Sequence, residues 1–120
     1  MPQITVDRSP TLRLDRRPFA AELHPLVASV IGSPAADCKT RFRRIEEAFI
    51  GDGTPERAMV LLEIRLLAGR SAEVKTELAE RVLALLEKHA VPEPGDELHL
   101  AVEVVDVDRA SYRKSVSAAR

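Results

Sequence analysis

Four stretches of the chain alternate apolar and polar residues, and each of them predicts a β-strand. The clearest covers residues 58–67, where Val60, Leu62, Ile64 and Leu66 would face opposite to Glu63 and Arg65. Residues 3–7 and 98–107 show the same alternation. A weaker candidate covers residues 39–50, and its alternation breaks near Arg43-Arg44, where we expect a bulge.

Two other stretches repeat their apolar residues at helical spacing. The first begins near Pro18 and ends at Gly32-Ser33-Pro34, and Pro25 inside it should kink the helix or shift its hydrogen bonding. Its apolar residues are Phe19, Leu23, Leu26, Val27, Val30 and Ile31. The second covers residues 71–88, with Ser71 suited to the N-cap. Its stripe consists of Val74, Leu78, Val82, Leu85 and Leu86. The pattern predicts two amphipathic helices.

The segments between these elements predict how they connect. Residues 8–17 are charged, contain Pro10 and predict a loop, and residues 92–96 predict a turn. Asp52-Gly53 predicts a hairpin-like connection between the second and third strands. The element order predicts an α/β (α+β) fold in which two β-α-β units form a four-stranded mixed sheet with both helices on one face. We expect a partner subunit to cover the other face, and the tail, residues 108–120, to form an arm against a neighbour.

Length and composition limit the possible classes of protein. A chain of 120 residues is long enough for one domain, which we expect to cover residues 1–120. The formal net charge of −1 and the four aromatic residues argue against binding to nucleic acid. The single Cys38 excludes an internal disulfide and a cysteine-based zinc site, and no apolar run is long enough to cross a bilayer. We therefore expect a cytoplasmic protein with no membrane association.

The first two residues, Met1-Pro2, suggest a possible base. A small second residue favours removal of the initiator Met, which would leave the secondary amine of Pro2 at the start of a strand. An α-amino group titrates near pH ~7.7–8.0, where general base catalysis is effective. If Met1 stays, the Pro2 nitrogen is an amide and cannot act as a base. Alternatively, Met1-Pro2 is an ordinary start of the chain and Pro2 has no catalytic role.

Cationic residues mark two further candidate positions. Gly69-Arg70-Ser71 lies where a strand passes into a helix N-terminus, which favours an anion, and the Arg70 guanidinium matches a carboxylate. Lys39, Arg41 and Arg43 alternate and so share one face of the second strand. That face could receive a carboxylate or could be an ordinary solvated strand edge. His24, His89 and His99 have no metal-ligand spacing, and we predict no metal site.

The Met-Pro start and the Gly-Arg-Ser element are both part of a resemblance to a known family. An N-terminal Met-Pro strand, two β-α-β units and the sequence Leu-Leu-Ala-Gly-Arg-Ser-Ala-Glu-Val-Lys at the second helix together resemble the tautomerase superfamily. The chain most closely resembles the 5-carboxymethyl-2-hydroxymuconate isomerase family, over nearly its whole length. The likeness includes the Asp52-Gly53 turn and the tail around Ser111-Tyr112-Arg113-Lys114.

The resemblance implies a homotrimer that moves a proton, without a cofactor, on a dienol carboxylate from aromatic-compound catabolism. It assigns the base to Pro2 and carboxylate binding to Arg70. The family pattern has an arginine near the start of the second strand, where this chain has Lys39, and Arg41 could take that role instead. A non-catalytic trimeric protein on the same scaffold, which binds a carboxylate or has a structural role, is the alternative.

Overall fold

The computed structural model describes residues 1–118, which form four strands and two long helices. The strands are β1 (Gln3–Arg8), β2 (Lys39–Arg44), β3 (Arg57–Leu67) and β4 (Glu97–Val107). The helices are α1 (Arg16–Ile31) and α2 (Ala72–His89). Two short 3-10 turns, Ala35–Asp37 and Arg109–Ser111, precede β2 and follow β4 respectively. The predicted order of strands and helices is confirmed.

The four strands form one mixed sheet in the order β2-β1-β3-β4. β1 is parallel to β2, β3 is parallel to β4, and the central pair, β1 and β3, is antiparallel. Gln3 at the start of β1 pairs with Lys39 at the start of β2 and with Arg65 near the end of β3. The chain start therefore meets the end of β3, and we call the residues there, 1–3, 37–39 and 66–71, the Pro2 end of the sheet.

The second strand is shorter than the alternation predicts. β2 ends at Arg44 and not at residue 50, and its pairing with β1 is continuous, so the bulge expected at Arg43-Arg44 is absent from this strand. The cause is its partner, because β1 ends at Arg8, whose carbonyl accepts the last bond from the Ile45 N–H at 2.9 Å. Residues beyond Ile45 have no strand beside them to continue the ladder.

The hairpin predicted at Asp52-Gly53 is also wrong, although a turn does form there. The Gly53 N–H donates to the carbonyl of Ile50 at 3.0 Å, and Asp52 accepts bonds from Thr54 and Arg57. However, β1 lies between β2 and β3 in the sheet. The turn is therefore part of a loop that crosses the end of β1.

The segment predicted as a loop at residues 8–17 is partly core. β1 extends to Arg8 and α1 begins at Arg16, and between them Leu12 and Leu14 are buried. Arg13, between the two leucines, exchanges backbone hydrogen bonds of 2.9 Å with Val91. This bridge turns alternate side chains inward, so that a charged, proline-containing stretch still contributes apolar residues to the core.

Both helices pack on the same face of the sheet, as predicted. The fully buried residues of α1 and α2 are Phe19, Leu23, Val27, Leu78, Val82 and Leu86. They meet the inward residues of β3, among them Leu62 and Ile64. Helix α1 continues through Pro25 to Ile31. Ser71 caps α2 as expected, since its Oγ accepts a bond from the Val74 N–H at 3.2 Å.

Within residues 1–118, no helix covers the other face of the sheet, which mixes polar residues with apolar ones such as Met59, Leu61 and Val105. Its residues include Thr5, Asp7, Arg41, Arg43, Glu63, Arg65 and Glu103. Arg43 and Asp7 form a two-bond ion pair across β1 and β2, with distances of 2.7 and 2.9 Å. Within residues 1–118, neither helix combines the length and the apolar character that a membrane span requires.

Acidification should destabilise the fold through His24. Its Nε2 lies 2.7 Å from Thr40 Oγ1 and links α1 to β2, and burial lowers the pKa of His24 below its usual value near 6.5. A lowered folded-state pKa means that the stabilisation is complete above pH ~6.5 and is lost as the pH falls further. We expect the urea midpoint to drop between pH 7 and pH 5, and to drop less in His24→Gln. Equal drops in the two proteins would contradict this.

Candidate active site

The sheet topology brings together candidate residues that are far apart in the sequence. Pro2 precedes the start of β1, Lys39 opens β2, and Arg70 follows the end of β3. Because β1 is parallel to β2 and antiparallel to β3, all three positions belong to the same end of the sheet. The structure thus groups Pro2, Lys39 and Arg70 at the Pro2 end.

Pro2 is buried and tied to the neighbouring strand. Its carbonyl accepts a bond of 3.2 Å from the backbone N–H of Lys39. Met1 precedes it in the structure, so that here the Pro2 nitrogen belongs to a peptide bond. The pKa of the Met1 amino group is lowered, first by burial and then by the charges of Lys114 and Lys39. Burial and these charges therefore favour the neutral form of the Met1 amine.

Arg70 lies between two secondary-structure elements whose geometry holds its backbone. Gly69, with φ of +127°, makes the turn out of β3 that most side chains would disfavour, and Ser71 caps α2. The guanidinium of Arg70 donates to the carbonyl of Leu67 at 3.3 Å and to Ser33 Oγ at 3.4 Å. Both acceptors are neutral. In the part of the chain that the structure describes, Arg70 has no carboxylate partner, so its charge is available to an anion.

The three cations that alternate along β2 have different surroundings. Lys39 is exposed beside Gln3, next to the chain start, and Arg41 lies beside Thr5. At ~3.3 Å per residue, Arg41 is roughly 7 Å farther from the Pro2 end. Arg43 is already paired with Asp7. Among residues 1–118, Lys39 and Arg41 form no ion pair, but of these two only Lys39 adjoins Pro2.

The structure adds residues that the sequence pattern did not indicate. Lys114 Nζ in the tail lies 3.7 Å from Asp37 Oδ1, and Asp37 precedes Cys38 at the start of β2. Cys38 is buried, and burial raises the pKa of its thiol. Residues 111–118 have no periodicity and Asp37 lies in a short turn, so that in the sequence only the family likeness of the tail points to Lys114.

Other features of the surface lie apart from this group. Two open depressions flank α1, one lined in part by Arg17, Thr40 and Phe42, and neither is lined by Pro2, Lys39 or Arg70. Over residues 1–118, no three His, Cys, Asp or Glu side chains cluster in a way that could hold a metal ion. The Pro2 end instead places the buried Pro2 at the same end of the sheet as cationic side chains, which can attract a carboxylate.

Solved structures of several proteins share this fold. A 5-carboxymethyl-2-hydroxymuconate isomerase from Deinococcus radiodurans R1 is 23% identical, with a TM-score of 0.71 over 97% of this chain and 90% of the other. Pt0534 inactivated by 2-oxo-3-pentynoate is 16% identical, with a TM-score of 0.75 over 95% and 93%. A fused wild-type 4-OT symmetric trimer is 20% identical, with a TM-score of 0.71 over 91% and 88%. These similarities establish the tautomerase fold.

The sequence itself identifies the family. No curated protein matches the chain significantly. The profile of the 5-carboxymethyl-2-hydroxymuconate isomerase family matches residues 5–119, a range that covers almost the whole chain and begins just after Pro2. The protein is therefore an isomerase-type enzyme with a tautomerase fold, and it belongs to the 5-carboxymethyl-2-hydroxymuconate isomerase family.

Proposed function

We propose that the protein is a cofactor-free tautomerase that moves a proton on a 2-hydroxymuconate-type dienol carboxylate, such as 5-carboxymethyl-2-hydroxymuconate, in aromatic-compound catabolism. Pro2, freed of Met1, is the general base. The observation that supports this most directly is the grouping, at one end of the sheet, of a buried Pro2 with Lys39 and with Arg70, which has no carboxylate partner within residues 1–118. Family membership favours the enzyme over a non-catalytic carboxylate-binding protein.

The proposed reaction moves one proton from oxygen to carbon within the substrate, in two transfers by way of Pro2. The neutral Pro2 amine takes the proton of the 2-hydroxyl group, and the electron pair of that O–H bond forms the carbonyl. The double bonds shift along the chain, and the prolinium returns its proton to a carbon of the conjugated system. No atom is gained or lost overall, so that a positioned base is sufficient.

The cations have two roles in this mechanism. Arg70, whose acceptors within residues 1–118 are all neutral, binds a substrate carboxylate and stabilises the negative charge that develops on the substrate oxygen. Lys39, beside Pro2, contributes a second positive charge that favours the neutral amine. Arg41 is the alternative to Lys39, but it lies farther from Pro2 in the strand register.

We also propose that the enzyme is a homotrimer. The sheet face opposite the helices carries charged groups such as Arg41, which forms no ion pair within residues 1–118 and which a neighbouring subunit could pair or cover. A solved protein with the same fold is a symmetric trimer, in fused form. The oligomeric state can be measured by sedimentation equilibrium on the trimmed protein.

The test is turnover combined with labelling of the amine. Trimmed protein, verified by intact mass, should accelerate ketonisation of 2-hydroxymuconate over buffer, followed by ultraviolet absorbance. The electron-poor alkyne 2-oxo-3-pentynoate, which inactivates Pt0534, should then add once to the Pro2 amine. The nitrogen bonds to the alkyne carbon farther from the ketone and a proton goes to the adjacent carbon, so that the protein gains the full mass of the reagent.

Activity should fall in parallel with labelling of the N-terminal peptide. Cys38 is the one competing thiol of the chain, so Cys38→Ser is the matched control and should label equally. Full labelling of Pro2 with activity retained would refute the proposed base. Binding of the dienol without turnover would instead support the non-catalytic carboxylate-binding protein.

A further inference from the structure

The C-terminal tail folds back onto the Pro2 end of its own chain. After β4, the turn Arg109–Ser111 is capped by Asp108, whose Oδ1 accepts a bond of 3.1 Å from the Ala110 N–H. Arg109 Nε donates to the carbonyl of Ala68 at 2.7 Å, just before Gly69 and Arg70. These bonds fix the direction of the tail as it leaves the sheet, and they direct it towards the chain start.

Lys114 is the tail residue that reaches this end. Its Nζ lies 3.7 Å from Asp37 Oδ1, and the two side chains are 43% and 41% exposed. An ion pair that is this long and this open to water contributes little to stability. Lys114 can therefore leave Asp37 and bind another carboxylate at a small cost in free energy.

The charges at the Pro2 end are unbalanced. Lys39, Arg70, Arg109 and Lys114 are cationic, and Asp37 is the acid that faces Lys114. The neighbouring Lys75 and Asp106 already neutralise each other at 3.3 Å. Lys114 also comes first among the charges that lower the pKa of the Met1 amine. A ligand with more than one negative charge would balance this end best.

We propose that Lys114 is a substrate-binding residue supplied by the C-terminal tail, and that it selects dicarboxylates by binding the carboxylate that Arg70 does not hold. The inference rests on the proposed function, because it assumes that the substrate lies at the Pro2 end. It adds a specificity-determining residue from a segment outside the two β-α-β units. Asp37 holds the Lys114 ammonium near the site when no substrate is bound.

The experiment compares two unreactive ligands of the same length. Muconate and sorbate are both conjugated hexadienoates without a 2-hydroxyl group, and they differ by one carboxylate. Calorimetric titration of the trimmed protein should show tighter binding of muconate. Lys114→Met should weaken muconate binding about tenfold, the size expected for one lost charge-assisted bond, and leave sorbate binding unchanged.

Two further variants control for charge and for folding. Lys88→Met removes an exposed lysine that pairs with Glu22 at the opposite end of the sheet, and it should change neither affinity. Asp37→Asn removes the competing acid, so muconate should bind more tightly. If Asp37→Asn weakened muconate as much as Lys114→Met does, the pair would serve only to hold the tail, and the proposal would be wrong.

The outcome of this binding experiment does not depend on whether Pro2 proves to be the base. Neither ligand is turned over, so muconate selectivity that depends on Lys114 would support the proposal even if ketonisation were absent. An unchanged muconate affinity in Lys114→Met, or an equal loss for muconate and sorbate, would overturn it even if Pro2 proved to be the base.

Discussion

Blocking the Pro2 nitrogen should reduce ketonisation by about 10²- to 10⁴-fold, the range that a positioned general base contributes. The cleanest way is to insert one alanine between Met1 and Pro2. Trimming then exposes the alanine amine, while Pro2 keeps its place as an amide nitrogen with no free electron pair. Pro2 is buried and bonded to Lys39 through its carbonyl, which the insertion leaves in place. The measurement is kcat/KM on 2-hydroxymuconate, with trimming of each protein verified by mass.

The matched variant for this experiment is Pro2→Ala without an insertion. It carries a primary amine at the correct position, so it should lose less activity than the insertion variant. Near-ultraviolet circular dichroism and the urea midpoint report whether either change disturbs the fold. An insertion variant with the activity of the trimmed protein would show that the base is elsewhere, and Arg70 and Lys39 would then need another partner.

The fold could be predicted well where the pattern is set by burial on one side. In β3, the alternation of Val60, Leu62, Ile64 and Leu66 with polar residues follows directly from helices covering one face. The predictions failed where a distant segment decides the outcome. β2 stops because β1 stops at Arg8, and the turn at Asp52-Gly53 cannot form a hairpin because β1 occupies the position between β2 and β3. Local turn chemistry contains no information about an intervening strand.

In the candidate site, too, some residues could be predicted from the sequence and others could not. Pro2 and Arg70 could be singled out from their local chemistry and from the family likeness, although 68 positions separate them and only the antiparallel pairing of β1 with β3 brings them together. Strand periodicity correctly placed Lys39, Arg41 and Arg43 on one face. It could not show that Arg43 is already paired with Asp7, nor that Lys114 lies near the chain start, because both depend on tertiary contacts.

Removing the Arg70 guanidinium should lower kcat/KM by about 10²- to 10³-fold, comparable to the loss of one donor that stabilises charge in a transition state. Among the described residues, its Nη atoms donate only to the Leu67 carbonyl and Ser33 Oγ, at 3.3 and 3.4 Å, and these long hydrogen bonds contribute little to the folded state. Arg70→Met should therefore change the free energy of unfolding by about 1 kcal/mol or less. A large effect on activity with a small effect on stability is the expected combination.

Three variants distinguish binding of a carboxylate from a general effect of charge. Arg70→Lys keeps the charge but not the planar pair of donors, so it should recover only a small part of the activity. Ser33→Ala removes one acceptor that orients the guanidinium, and its loss should be about tenfold or less. Arg81→Met removes an exposed arginine from α2 and should leave kcat/KM unchanged. If Arg70→Lys were fully active, a point charge would suffice, and the guanidinium could not be the group that fixes the substrate beside Pro2.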